Sequence, residues 1–326
     1  MKQLEDTKNG NQEKQTSAKK RCLGSSDLLV PPICFGGNVL GWTADEKTSF
    51  DILDRLLEAD LNFIDTADAY SAWVPGHQGG ESETIIGKWM RARGSRSQVV
   101  IATKVGAEIV PGQQGLSKRY IRKAVEASLR RLQTDYIDLY QSHCDDPTTP
   151  IEETREAFDE LVKSGKVRII GASNSSAKSL EQSRKTSTRL NFAKCEVVQP
   201  QYNLFDRAEF ETDIGPYAIN NHIGAICYYG LAHGFLTGKY RSIDDISGRP
   251  RAVPLARYFT KRGLDILDSL KSISNERNVS SAQVALAWLT MQPGVTAAIA
   301  SATSLGQAED LIAAANLYLK REELAG

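Results

Sequence analysis

No CxxC pair occurs among the five cysteines, Cys22, Cys34, Cys144, Cys195 and Cys227. Their odd number and wide spacing argue against a disulfide framework or a structural zinc site, and suit a reducing compartment such as the cytoplasm. No apolar run is long enough to span a bilayer. The first residues are polar and mixed in charge, without the hydrophobic stretch of a signal peptide. Net charge is missing too: 40 Lys and Arg balance 40 Asp and Glu. That balance leaves no electrostatic case for a nucleic acid or an acidic membrane as partner. A GxGxxG turn is absent after the first apolar run, which ends Gly36-Gly37-Asn38 instead, so an open dinucleotide-binding sheet is disfavoured.

What is present is a rhythm. Residues 1–20 carry almost no apolar residues and read as a disordered tail, so 21–326 form the folded unit. Eight short apolar runs follow, at 33–37, 62–68, 99–105, 135–143, 167–174, 195–203, 224–230 and 296–302. They lack strict polar alternation, as strands covered on both faces do. Amphipathic stretches separate them. Residues 47–59 align Phe50, Leu53 and Leu57, residues 118–132 align Ile121, Val125, Leu129 and Leu132, and 151–166 ends in a Ser-Gly stop. Strand and helix alternating eight times is the pattern of a single (β/α)8 TIM barrel with its site at the C-terminal strand ends. The longest departure, 239–262, follows the seventh run and has the length of a lid or binding loop.

The strand ends therefore carry the functional candidates. Asp65 ends the second strand with Tyr70 just beyond, Lys104 ends the third and His143 the fourth. Ser173 and Asn174 end the fifth, the sixth carries Gln199, the seventh Tyr228, and the eighth ends near Ser301. Taken singly, Asp65 reads as a cap, Lys104 as a snorkelling cation, His143 as a core histidine and Tyr70 as a packing aromatic. Together at one mouth they make a proton-transfer site. An ammonium beside a phenol is expected to lower its pKa from the usual value near 10, a carboxylate to hold the ammonium, and a neutral imidazole to donate to a carbonyl oxygen. None of these groups supplies hydride, so the chemistry calls for a nicotinamide cofactor. The run His143-Cys144-Asp145-Asp146 has metal-ligand types, but adjacent residues do not readily converge on one ion, and no metal is expected. In the loop 71–83, Trp73 and His77 are candidates to shape a substrate pocket, and Ser82 to cap the following helix.

The segments FIDTADAY (63–70), IATKVG (101–106), DYIDLYQSH (135–143), GKVRIIGASN (165–174), VVQPQYNLFDR (197–207) and YYGLAHGFLTGKY (228–240) resemble the aldo-keto reductase superfamily, over about residues 21–318. The nearest-looking branch is the bacterial and potassium-channel-β-like one. The resemblance implies reduction of an aldehyde or ketone, with Tyr70 as general acid/base, Lys104 and Asp65 tuning it, and His143 orienting the carbonyl. It implies that Ser173, Asn174 and Gln199 hold the nicotinamide carboxamide and that Tyr228 stacks on its ring. Gly37 and Trp42 would lie by cofactor and substrate, and Leu231, Gly234, Gly238 and Lys239 would cover the pyrophosphate. At the adenosine end the chain has Ser301, Ala302, Thr303, Gln307 and Asp310, with Leu311 where an Asn is common. Arg251 matches an arginine that pairs with a 2′-phosphate, and its planar fork suits that group, so NADPH is expected over NADH. Tyr229-Gly230 stands where Ser-Pro is usual, which implies a locally different backbone. Two alternatives stay open: a channel-β-like regulatory subunit that binds NADPH with little turnover, and a barrel isomerase or lyase that needs no nicotinamide.

Overall fold

The computed structural model of the chain describes residues 18–248 and 252–324. Eight parallel strands close into a barrel: β1 (Ile33–Gly36), β2 (Phe63–Asp65), β3 (Val100–Val105), β4 (Ile137–Ser142), β5 (Val167–Ser173), β6 (Cys195–Gln199), β7 (Gly224–Cys227) and β8 (Val295–Ala300). Each pairs with its sequence neighbours, and β8 closes onto β1 through Ile299 opposite Cys34. All eight expected runs became barrel strands, and the open-sheet alternative is excluded.

The helices surround them: α1 (Glu46–Glu58), α2 (Glu81–Arg93), α3 (Lys118–Leu132), α4 (Ile151–Lys163), α5 (Ala177–Leu190) and α6 (Gly215–Asn220), the last preceded by a π turn at Phe210–Ile214. Between β7 and β8 lie α7 (Ala252–Ala256), α8 (Lys261–Arg277) and α9 (Ser281–Thr290), and after β8 come α10 (Leu305–Asn316) and α11 (Arg321–Leu324). Side-chain caps start several of them: Asp45 accepts from Thr48 N, Ser117 from Tyr120 N and Ser176 from Ser179 N. α2 starts differently. Its N-cap is Gly80 in the left-handed region, and Ser82, expected as the cap, is buried two residues further on, within the first turn. There Ser82 Oγ donates to Gly37 O and accepts from Thr66 Oγ1, each at 2.8 Å, tying α2 to the first two strand ends.

Two cores result from the two-residue strand period. One set, including Phe35, Ile64, Ile101, Tyr140, Ile170 and Val198, faces outward onto α-helical Ile52, Trp89, Val125 and Phe158. The alternate set, including Cys34, Phe63, Ala102, Leu139, Val197 and Ile226, fills the barrel interior. A short hairpin, Arg21–Cys22 against Leu29–Val30, plugs the N-terminal end and adds Leu23, Leu28 and Val30 to that interior. The tail expected for residues 1–20 lies outside the described residues as far as 17. From Ala18 the chain is placed, contrary to that expectation: Ala18 is buried, and Lys20 Nζ pairs with Asp60 Oδ1 at 2.7 Å.

Candidate active site

The period that buries Phe63, Ala102, Leu139 and Val197 inside the barrel also turns Asp65, Lys104, Gln141 and Gln199 inward, two residues further along each strand. The last interior layer at the C-terminal end is therefore polar. Lys104, fully buried, uses its ammonium protons on three acceptors: Asp65 Oδ2 at 2.6 Å, Thr66 O at 2.8 Å and Tyr70 Oη at 2.8 Å. Asp65 Oδ1 accepts from Gln199 Nε2 at 2.8 Å and from Gln141 Nε2 at 3.5 Å. Tyr70, on the loop after β2, donates to Asp65 Oδ2 at 3.3 Å and meets the His143 ring edge-on at 5.9 Å between centroids. The four candidates from three successive strand ends thus meet at one point.

The protonation states follow from the surroundings. Burial first, then the Lys104 charge, pushes His143 down to about 3, so its imidazole is neutral at physiological pH. Its Nδ1 is buried without a partner among the described residues. For Tyr70 the expected direction is reversed. Burial, and after it the Asp65 carboxylate, pushes the phenol well above its usual range. The Lys104 ammonium, 2.8 Å from the phenol oxygen, does not outweigh these two effects. Tyr70 is consequently a phenol, with a proton to give.

A cavity of about 1060 Å³ opens over this cluster and runs from the β1–β4 loops across to α10. That is the upper end of the range for small-molecule sites, enough for a long ligand and a second small one. A model for the aldo/keto reductase family matches residues 32–326. The chain belongs to the aldo/keto reductase family. It is 37% identical over 304 residues to "Aldo-keto reductase YhdN" of Bacillus subtilis (strain 168), covering 91% of this chain and 87% of that one. It is 34% identical to a "Probable voltage-gated potassium channel subunit beta" of Arabidopsis thaliana, with 88% of each chain covered. It is 30% identical to "L-glyceraldehyde 3-phosphate reductase" of Escherichia coli O157:H7, covering 97% and 93%. The chain is thus a family member with relatives named as oxidoreductases, and no helix among the described residues is long and apolar enough to cross a membrane.

Most residues that the family resemblance assigns to the cofactor line this cavity: Ser173, Asn174, Gln199, Tyr228, Leu231, Gly234, Lys239, Ser301, Thr303 and Gln307. They form a linked wall. Tyr228 Oη donates to Asn174 Oδ1 at 2.7 Å, Asn174 Nδ2 donates to His143 O at 2.8 Å, and Ser173 Oγ donates to Gln199 O at 3.0 Å. Trp73 lines the opposite side, with Trp42 edge-on behind it at 5.5 Å. Two assignments fall elsewhere. Gly37 is outside the lining, packed so that a Cβ would meet Ser82 Oγ at 2.8 Å and Asp65 O at 3.0 Å, while Gly36 and Asn38 face the cavity. Gly238 closes the Ala232–Thr237 turn in the left-handed region, one residue behind Lys239. Arg251 lies outside the described residues.

The site also uses residues that the sequence reading passed over. Asn38 Oδ1 accepts from Ser301 Oγ at 2.7 Å, closing β8 against β1, and Gln141 shares Asp65 with Gln199. The backbone after Tyr228 is irregular: Tyr229, Ala232 and His233 all have positive φ, and the Tyr229 and His233 rings lie 3.8 Å apart. Such non-glycine conformations cost about 1 kcal/mol or more each and persist where surrounding contacts enforce them. Buried Asn203 is one such contact, donating to Tyr229 O at 3.1 Å. Of the run after β4, Asp145 accepts from Ser175 Oγ and Asp146 accepts from Leu116 N, Thr148 and Thr149, so these side chains serve the loops.

Proposed function

We propose that this chain is an NADPH-dependent carbonyl reductase of the cytoplasm that converts an aldehyde or ketone to an alcohol with Tyr70 as general acid. The observation that carries the reading is the junction of Tyr70, Lys104 and Asp65 with a neutral His143, at the point where the two halves of the cavity meet. A reduced nicotinamide, when bound, supplies hydride to the carbonyl carbon. Ser173, Asn174 and Gln199 would hold its carboxamide, and Tyr228 would present the flat wall beneath its ring. These groups suit an amide, because each keeps acceptor or donor capacity beyond the bonds it makes within the wall.

The rest of the step belongs to the protein. His143 and Tyr70 hold the carbonyl oxygen between two donors, where negative charge develops. The Tyr70 proton passes to that oxygen. The phenolate left behind faces the Lys104 ammonium at 2.8 Å, and Asp65 holds that ammonium in place. Positioned acids of this kind contribute about 10²–10⁴-fold in rate. Preference for the 2′-phosphorylated cofactor rests on Arg251, with Thr303 and Gln307 at the start of α10, where Thr303 N already donates to Gln307 Oε1.

The test is turnover of a panel of sugars, aromatic aldehydes and ketones with NADPH and with NADH. Tyr70→Phe is expected to abolish turnover and leave NADPH affinity within about threefold, since in this reading the phenol faces the reacting oxygen and not the cofactor. Equal losses of turnover and affinity would make Tyr70 a structural residue and sink the reading. Arg251→Ala is expected to weaken NADPH far more than NADH, and an equal effect would remove it from phosphate recognition. A second reading, a channel-binding subunit with little turnover, is favoured by the similarity to the plant potassium-channel β protein. Slow single turnover with every carbonyl, together with tight binding of a channel domain, would support that reading instead.

A further inference from the structure

The wall facing Tyr70 on the substrate side is built from the loops after β2 and β3. Its aromatic part is Trp73, half exposed at the rim, edge-on to Trp42 at 5.5 Å and to Tyr70 at 6.2 Å. Beside these rings, and apart from Glu108, the wall carries small or aliphatic side chains, Ala69, Ala72, Ala107 and Ile109. An indole left half open above three alanines offers a flat apolar face and the room for a ring against it.

Charge is distributed unevenly around the cavity. Among the described lining residues contributed by the loops after β1 to β4, none is Lys or Arg. Lys104 stands behind this wall, with its ammonium committed to Asp65, Thr66 and Tyr70. The one described lining cation, Lys239, follows the turn after β7, on the dinucleotide side. The substrate side does carry an exposed carboxylate, Glu108, which makes no hydrogen bond or ion pair among the described residues. An anionic substrate entering here would shed water without meeting a cation and would approach a like charge.

We propose, on the carbonyl-reducing reading above, that this wall selects uncharged carbonyl compounds bearing a flat ring, and that Glu108 biases the site against carboxylated or phosphorylated ones. Trp73 and Tyr70, with Trp42 packed against Trp73, provide the attraction and the acidic rim the discrimination. Glu108 lies on the loop after β3 and acts on the substrate's charge at a distance, so it is a specificity residue and not part of the proton-transfer machinery.

The experiment uses 4-nitrobenzaldehyde and 4-carboxybenzaldehyde, similar in size and differing in charge; the nitro group also withdraws electrons more strongly, so the deciding quantity is the change that Glu108→Lys makes in their ratio. The intact protein with NADPH is expected to show kcat/KM at least about tenfold higher for the nitro compound. A charge reversal near a solvent-exposed rim is worth a factor of about five to ten. Glu108→Lys is therefore expected to raise kcat/KM for the carboxylate by about that factor and to leave the nitro compound within about twofold. Glu108 is exposed, so the variant should fold, and its melting temperature checks this. D-Glyceraldehyde and its 3-phosphate give a second pair without a ring, for which the same sign of charge preference and weaker overall turnover are expected. Equal turnover of the nitro and carboxy compounds, or a ratio that Glu108→Lys leaves unchanged, would overturn the proposal. Turnover of neither member of either pair would overturn the reductase reading itself, and this proposal with it.

Discussion

Lys104→Met tests the geometry at the centre of the site most directly. The substitution keeps the length and apolar stem of the side chain and deletes one buried charge. In the native site Lys104 is 0% and Asp65 1% exposed, with 2.6 Å between Nζ and Oδ2. Removing the ammonium leaves the Asp65 carboxylate with only Gln199, Gln141 and the Tyr70 hydroxyl as donors. An uncompensated buried charge of this kind costs about 3–5 kcal/mol. At about 2–4 °C per kcal/mol for a domain approaching this size, the melting temperature should fall by roughly 10 °C. The exposed pair Lys47–Asp51 has nearly the same contact length, 2.7 Å, with Lys47 85% exposed. Lys47→Met should therefore change stability by less than about 0.5 kcal/mol, because water screens that pair. The double variant Lys104→Met/Asp65→Asn removes both charges and should be no less stable than either single change, with a coupling on the order of 3 kcal/mol. Urea denaturation and thermal melting of the native protein, Lys104→Met, Asp65→Asn, their double variant and Lys47→Met measure this. Losses that simply add, or a Lys104→Met cost similar to that of Lys47→Met, would refute the claim that the site holds an interdependent buried ion pair.

Two further outcomes follow from groups near the site. Asp68 has both carboxyl oxygens buried without partners among the described residues, and burial, with Glu83 next, pushes it up to about 8. A carboxyl raised on folding binds its proton more tightly in the folded state, so stability is lost as pH rises from the unfolded value near 3.9 towards about 8, by up to about 1.4 kcal/mol per unit. Asp68→Asn should melt above the native protein at pH 9, with the gap closing by pH 5, and a gap independent of pH in melting curves would contradict this. Gly87 sits inside α2, where alanine ordinarily gains about 1 kcal/mol. Here a Cβ would lie 2.1 Å from Arg131 O and 2.7 Å from Leu132 C, both backbone atoms of the α3 end. Gly87→Ala should therefore destabilise by about 1–3 kcal/mol in denaturant titration, and a gain in stability would show that α2 and α3 can separate at no cost.

The barrel was legible because its strands are buried on both faces, so each prints as an apolar run such as Val100–Val105 that needs no partner to be recognised. The site was legible for a related reason. Asp65, Lys104 and Gln199 are polar residues that interrupt those runs at their C-terminal ends, where a core strand has no use for them. Gln141 interrupts a run in the same way, yet it was passed over because the histidine two residues later drew the reading. Features that depend on contacts between distant segments left no local signal. The hairpin plug has strands of two residues each, too short for any period, and declares itself only by packing Leu23 and Leu28 into the barrel. Ser82 has the residue type of a cap, and only the nearness of Gly37 makes it a buried tie. The direction of the Tyr70 shift turns on burial first and on the nearby Asp65 carboxylate second, which residue types cannot state. The Asp65 carboxylate thus does two things at once: it holds Lys104 at 2.6 Å and, together with burial, raises the phenol, so on the reading proposed above Tyr70 rests with the proton that reduction of a carbonyl requires.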